Sequence, residues 1–401
     1  MARLVNSSPW GFMYKRIALL LAAVAASPSF AQNGLDPTPV APDPVPGIVA
    51  VPAPAQPPLP PVEAPPAIID PHQTAFQAWL TGPFRQQAFT AGVRPETLDR
   101  ELGGLTYNPR VVQLDQAQPD RSATSQLTYA TYLSRHINNN RINGGRRRYG
   151  DLFATLQGIE GRYGVPPEVL VGFWGIETSY GAVTGNFDLV RSLATLAFEG
   201  RRRDLFSREL VAALQLIERG YINRGALVGS WAGATGQPQF LPSSVLAHAA
   251  DGDGDGRADI WNSQVDALAS IAKFIADKGW KKGQPWAQRV YVPPTLDRER
   301  VRNLTPVGEC GGMNWRHSRW LTVKDWKALG IVPMGQVFPA ETMLATLIEP
   351  DGTGTGGYLT YGNYRAILRY NCTNFYALTV THLADAIRAA PGAGAAGGLR
   401  R

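Results

Sequence analysis

Apolar side chains fall at helical spacing from the start of the folded region. Phe76, Trp79, Leu80 and Phe84 line one face, and Arg94-Pro95-Glu96-Thr97-Leu98 opens a second helix. Helical patterning then dominates from Thr124 to Trp280. One helix ends at Tyr163, where Gly164-Val165 breaks it, and Pro166-Pro167-Glu168 starts the next, proline being suited to a first turn. Further helices are expected over residues 204–219 and 265–278. After Gly283 the pattern changes. Residues 288–292, 343–348 and 357–361 read as short strands with turn residues between them, residues 366–370 fit strand or helix, and residues 376–387 read as a closing helix. No internal repeat is visible. The expected architecture is mainly α, of the α+β kind, with a helical domain over residues 72–284 and a smaller strand-containing lobe over 285–388.

Composition adds the flanks. Arg3, Lys15 and Arg16 precede a ten-residue apolar stretch, Ile17 to Ala26, too short to span a bilayer. Ser29-Phe30-Ala31 offers small residues where a signal peptidase cuts, so residues 1–31 are expected to be a signal peptide cleaved near Ala31. No Cys stands there to carry a lipid, and no stable membrane anchor is expected. Residues 36–71 hold fourteen of the 32 prolines. Such a segment lacks backbone donors and large apolar side chains, and reads as an extended spacer within residues 32–71. The tail over 389–401 is Gly/Ala-rich and expected to be disordered. The chain of 401 residues carries a formal net charge of +7. That favours an acidic partner, a description that fits nucleic acid, anionic membrane and cell wall alike; export argues against nucleic acid, and no nucleic-acid motif appears.

The most informative stretch runs Gly164-Val-Pro-Pro-Glu-Val-Leu-Val-Gly-Phe-Trp-Gly-Ile-Glu-Thr-Ser-Tyr-Gly181. Its helix is apolar nearly all round and must therefore be buried. Gly172 and Gly175 leave room for a close neighbour, and Gly181 is placed to stop the helix. Glu177 stands at the end of this run. Burial and the negative helix C-terminus both disfavour its carboxylate, so it is expected to hold a proton near neutral pH, as a general acid must. The bland alternative is a Glu that caps or salt-bridges a helix end.

Here the sequence resembles the lytic murein transglycosylase B family, whose catalytic Glu sits in a G-[VIL]-E-[TS]-x-[WY]-G setting, matched by Gly175 to Gly181. The resemblance also includes Arg94-Pro-Glu-Thr-Leu98, Leu114-Asp-Gln-Ala-Gln-Pro119, Ala194-Thr-Leu-Ala-Phe198, Gly229-Ser-Trp-Ala-Gly-Ala-Thr-Gly-Gln-Pro-Gln-Phe-Leu-Pro-Ser243, Asp253-Gly-Asp-Gly-Arg257, Lys278-Gly-Trp280 and Tyr370-Asn371. It thus covers about residues 73 to 388. It implies a lysozyme-like helical catalytic domain and an enzyme that cuts the bond between N-acetylmuramic acid and N-acetylglucosamine in peptidoglycan. Glu177 would protonate the glycosidic oxygen and then, as carboxylate, take the proton of the sugar's own C6 hydroxyl, leaving a 1,6-anhydro end. Most glycosidases need two carboxylates; no second acid here stands in a comparable buried motif. The alternatives are a hydrolytic muramidase using water and a non-catalytic peptidoglycan-binding protein.

The same resemblance implies substrate contacts from Tyr132, Ser230, Gln239, Tyr370, Asn371 and Tyr376, with Arg202 and Arg203 placed to meet stem-peptide carboxylates. A guanidinium fork suits that task, although a solvated surface accounts for a basic run equally simply. Trp174 and Trp231 have rings that can stack on sugars, with Trp174 reading rather as core. No separate wall-binding domain follows Ile387, so capture of substrate is expected to rest on the cleft and the basic surface. The implied protein is a monomer in the periplasm or outside the cell.

Residues 251–262 form a second constellation. Asp251, Asp253, Asp255, the Arg257 carbonyl and Asp259 occupy positions 1, 3, 5, 7 and 9 of an EF-hand calcium loop, with Gly256 at position 6. Position 12 departs, Asn262 replacing the bidentate Glu, and Asp266 is the candidate substitute. A structural calcium is expected, although a solvated acidic turn is the simpler alternative, and no cofactor is required for the chemistry. Cys310 and Cys372 form one disulfide or remain two thiols. Gly352, Gly354 and Gly357 satisfy G-x-G-x-x-G but precede a strand, which makes them a turn.

Overall fold

The computed structural model describes residues 70–118, 127–305 and 308–389. The expected signal peptide, nearly all of the proline-rich spacer and the tail beyond Ala389 lie outside the described residues. The first helix, Pro71–Trp79, begins on the Asp70 cap and passes through a π-helical turn, Leu80–Phe84, before continuing as Arg85–Thr90. Pro83 lies inside that turn. It has no N–H to donate, so the widened turn is where the anticipated continuous helix yields.

Three apolar cores organise the chain. The helices Pro71–Trp79, Pro95–Leu102, Leu189–Glu199 and Arg203–Glu218 share one of them, built around Phe76, Leu98, Leu193 and Leu210. A second is formed by Phe153–Tyr163, Pro167–Thr178, Gln264–Asp277, Gly362–Tyr370 and Asn374–Arg388. The helix Pro167–Thr178 lies in its middle, with Val169, Leu170, Val171, Phe173 and Trp174 all buried. Gly164 ends the preceding helix at φ +73°, and Pro167 takes the first turn of the next. Gly172 is the close-approach point: a Cβ there would lie 3.1 Å from the Val380 carbonyl of the last helix. Gly175 instead makes room for the Tyr180 ring, at 2.7 Å.

The strands gather after residue 285, apart from a short pair, β1 (Phe187–Asp188) and β2 (Val228–Gly229). The main sheet comprises β3 (Ala287–Tyr291), β4 (Leu321–Thr322), β5 (Val332–Pro333), β6 (Leu344–Ile348) and β7 (Gly357–Thr360), in the antiparallel order β4-β6-β7-β3-β5. Val290, Leu347 and Leu359 pack on Trp326 to form the third core. The ambiguous segment at 366–370 is helical, because Tyr364, Ile367 and Leu368 share one buried face. The fold is mainly α with a smaller antiparallel sheet, as the patterning indicates. Cys310 and Cys372 are joined in a disulfide, with Cα atoms 5.2 Å apart.

Candidate active site

The helix carrying Glu177 stops one residue after it. Ser179 and Tyr180 adopt left-handed backbone conformations (φ +50° and +65°) ahead of Gly181 (φ +82°), so reversal begins before the glycine that the sequence marks as the stop. Left-handed geometry costs a non-glycine residue about 1 kcal/mol, and tertiary contacts hold it. Arg141 Nη2 donates to Ser179 Oγ (3.0 Å), Tyr180 Oη donates to the Arg141 carbonyl (2.6 Å), and the Gly181 amide donates to Thr178 Oγ1 (3.0 Å).

This turn leaves Glu177 8% exposed and facing the last helix. Tyr376 donates its phenol hydrogen to Glu177 Oε1. Burial pushes the Glu177 carboxyl up to about 8, and the Tyr376 hydrogen bond opposes that rise only in part. Tyr376 is itself fixed twice: Thr373 Oγ1 caps its helix by accepting the Tyr376 amide (3.1 Å), and its ring stacks on Tyr370 at 6.3 Å and 14°. Tyr370 donates to the Pro238 carbonyl. Tyr132, stacked on His136 at 4.1 Å, feels the same carboxylate: burial and then Glu177 hold its phenol up at about 12. The phenols of Tyr370 and Tyr376 are raised still further, by burial first and Glu177 second. The groups around Glu177 are therefore neutral phenols.

Other acids are buried too, more than the sequence suggested: Glu168 is fully buried on the same helix as Glu177, burial first and Glu168 second raise the Asp385 carboxyl well above the usual carboxylate range, and three more have partners unlike that of Glu177. Glu101 meets Arg100 and Arg224, Asp115 meets Arg201 and Arg202, and Glu209 accepts from the amide and hydroxyl of Ser243. Those carboxylates are matched by cations or paired donors. Glu177 receives one phenol hydrogen.

Of the remaining sequence candidates, Ser230 is buried and accepts the Ala234 amide on Oγ (3.0 Å). Gln239, at φ +51°, spends its amide hydrogens on the carbonyls of Thr184 and Gly236, both at 3.0 Å. Asn371 follows Tyr370, is 7% exposed, and its Oδ1 has no hydrogen-bond partner among the described residues. The arginines sit beside the other helical core, Arg202 partly buried and Arg203 exposed. Arg202 donates to Asp115 and lies over Phe206 at 4.8 Å, while Arg203 donates to the Phe198 carbonyl (2.9 Å) and lies over Trp79 at 6.0 Å. Trp174 and Trp231 are both buried. Sequence reasoning overlooked Gln237, which accepts the Trp174 indole hydrogen (2.9 Å); its only signal was a polar residue inside an otherwise buried stretch.

In the acidic loop, Asp251, Asp253 and Asp255 each bring a carboxylate oxygen within 4.8 Å of the others. Backbone amides of Gly254 and Gly256 hold the Asp251 carboxyl below the usual carboxylate range, the Gly256 bond contributing most. Asp259 is turned to the amides of Trp261 and Asn262, and Asn262 donates its own side chain to it. Asp266 is buried, with one oxygen on the Gly252 amide and the other on the Asp259 amide, both at 2.8 Å. It clasps the two ends of the loop. Three clustered carboxylates are a hard oxygen donor set and fit a cation of the calcium type.

Residues 75–385 match the Transglycosylase SLT domain family. The chain is 35% identical over 228 residues to the membrane-bound lytic murein transglycosylase B of Escherichia coli K12, a match spanning 56% of this chain and 58% of that protein's length. Its fold is similar to that of SltB3 from Pseudomonas aeruginosa, crystallised with a NAG-anhNAM-pentapeptide: TM-score 0.69 at 35% identity, over 78% of this chain and 79% of that one. It is also similar to the Escherichia coli lytic transglycosylase Slt35, crystallised with calcium: TM-score 0.63 at 28% identity, over 79% and 93%. With a single family match spanning the three cores and the buried Glu177, this chain belongs to the Transglycosylase SLT domain family.

Proposed function

We propose that the protein is an exported lytic transglycosylase that cleaves the β-1,4 bond between N-acetylmuramic acid and N-acetylglucosamine in peptidoglycan and leaves 1,6-anhydromuramoyl ends. One observation carries this reading: Glu177 is a carboxyl group held at about 8, with a neutral phenol as its hydrogen-bond partner. At neutral pH it is protonated and able to give that proton to a glycosidic oxygen. Once ionised it accepts the C6 hydroxyl proton of the same sugar, whose oxygen closes on C1. The nucleophile comes from the substrate, so a second carboxylate is unnecessary. Asn371 Oδ1, buried and unpartnered, suits a hydroxyl or acetamido N–H donor of the glycan. The related SltB3 binds a muropeptide with an anhydro end, which supports the product assigned here.

Asp251, Asp253 and Asp255, with the Arg257 carbonyl, are the residues that would hold a calcium ion, whose part is to brace their loop. Among the described residues no helix is long and apolar enough to cross a membrane. The test is mass spectrometry of peptidoglycan digested by the wild type and by Glu177→Gln. Anhydro products from the wild type and none from the variant are expected, with wild-type rate falling as pH rises through about 8. Reducing muramic acid ends would make the protein a hydrolytic muramidase. Turnover retained by Glu177→Gln would remove Glu177 from the chemistry, and binding without any wild-type cleavage would make the protein a wall-binding module.

A further inference from the structure

Gln237 is 7% exposed and has its polar groups engaged on two sides. Its Oε1 accepts from Trp174 Nε1 at 2.9 Å, and its backbone carbonyl accepts from Thr178 Oγ1 at 3.0 Å. Trp174 lies one turn before Glu177 on the helix and Thr178 directly after it, so a single residue grips the helix on both sides of the carboxyl. In the other direction, Gln237 Nε2 donates to the Trp261 carbonyl at 3.3 Å and the Gln237 amide donates to the Ile260 carbonyl at 2.9 Å. Those two carbonyls follow Asp259 in the acidic loop, which is itself closed by Asp266. The chain also passes tightly by: a Cβ on Gly181 would lie 2.7 Å from Gln237 Oε1.

A helix end left to itself frays, because its last carbonyls lack partners within the helix. Here the Ser179 and Tyr180 amides return to the Gly175 and Trp174 carbonyls, both at 3.2 Å, so the last turn is capped from within, and what remains to be fixed from outside is where that capped turn sits. We propose that Gln237 is a positioning residue for Glu177, a clamp that fixes the final helical turn against the acidic loop so that the carboxyl stays turned toward Tyr376 and away from water. The Trp174 contact is the adjustable part, since the Thr178 bond uses the Gln237 backbone and survives any side-chain change. This inference rests on the acid/base reading of Glu177.

The test compares Gln237→Met, Trp174→Phe, their combination, Glu177→Gln and a control in the sheet core, Val323→Ala, on a soluble peptidoglycan glycan fragment. Methionine keeps the length of Gln237 without its amide, and phenylalanine removes the indole donor while keeping a ring. In Gln237→Met, kcat is expected to fall about tenfold to a hundredfold with KM changed less than about twofold, the loss expected of a misaimed catalytic group. The basic limb of its pH–rate profile moves below that of the wild type, because a released carboxyl meets more water. Trp174→Phe changes kcat and the limb in the same directions, and the double variant is little worse than Gln237→Met alone, since that change already breaks the Trp174 contact along with the Trp261 bond. Val323→Ala lowers Tm and leaves kcat and the limb in place. Should Gln237→Met fail to fold, Trp174→Phe decides alone. Wild-type kcat and pH limb in Trp174→Phe, or values in Gln237→Met that match Val323→Ala at equal loss of Tm, overturn the clamp. Turnover by Glu177→Gln overturns the reading beneath it instead.

Discussion

Replacing Glu177 by Gln should make the protein more stable, and increasingly so as pH rises. The folded carboxyl titrates near 8 against 4.5 for the free side chain. Below 4.5 the group is protonated in both the folded and the unfolded chain, and its burial carries no ionisation penalty. As pH rises the unfolded chain releases a proton that the folded one retains, so folding loses stability until the folded group also ionises near 8. Each pKa unit is about 1.4 kcal/mol. The Glu177 penalty therefore grows by about 2 kcal/mol from pH 4.5 to 6.5 and by about 4 kcal/mol from 4.5 to 8.5. Gln has nearly the same shape, can still accept the Tyr376 phenol, and does not titrate. Urea unfolding followed by tryptophan fluorescence at those three pH values, on both proteins, measures the difference directly. A gap that widens by about 4 kcal/mol toward pH 8.5 is the expected outcome. A gap independent of pH, or one that widens toward acid, would show that Glu177 is not a desolvated carboxyl, and the mechanism would fall with it.

Tyr376→Phe removes the donor that holds Glu177 down, so the basic limb of the pH–rate profile should move upward while kcat falls; an unmoved limb would separate the phenol from the carboxyl. The disulfide closes a segment with a sequence separation of 62 residues. By the chain-entropy account its loss costs about 4 kcal/mol, so reduced protein or the Cys310→Ser, Cys372→Ser double variant should unfold at much lower urea, and an unchanged midpoint would deny the bond a stabilising role. Calcium added at a hundred times its dissociation constant should stabilise the fold by about 2.7 kcal/mol. That shift in Tm should vanish in Asp251→Asn, Asp253→Asn; a response surviving both changes would place the ion elsewhere.

The sequence alone determined the pieces whose causes are local. Pro166-Pro167 starts the Glu177 helix, Gly164 ends the one before it, and an all-round apolar face marks the helix as buried. These follow from φ preferences and from a 3.6-residue period that any one segment displays by itself. The family motif singled out Glu177, the wider resemblance named Tyr376 as a substrate contact, and the aspartate spacing marked the acidic loop. What the tertiary structure decided is partnership. The phenol facing Glu177 comes from 199 residues away, and no spacing along the chain encodes that distance. Arg202 reads as an open fork until Asp115, 87 residues earlier, is folded onto it. Asp266 reads as a replacement ligand until both its oxygens meet loop amides. Residues 366–370 allowed two conformations until the helical core offered one face for Tyr364, Ile367 and Leu368 to bury. Gln237 passed unnoticed for the same reason: its importance lies wholly in the two segments it joins. A pKa is set by how much water is removed and by which dipoles remain, and both are properties of the surrounding elements, which only the folded chain brings together.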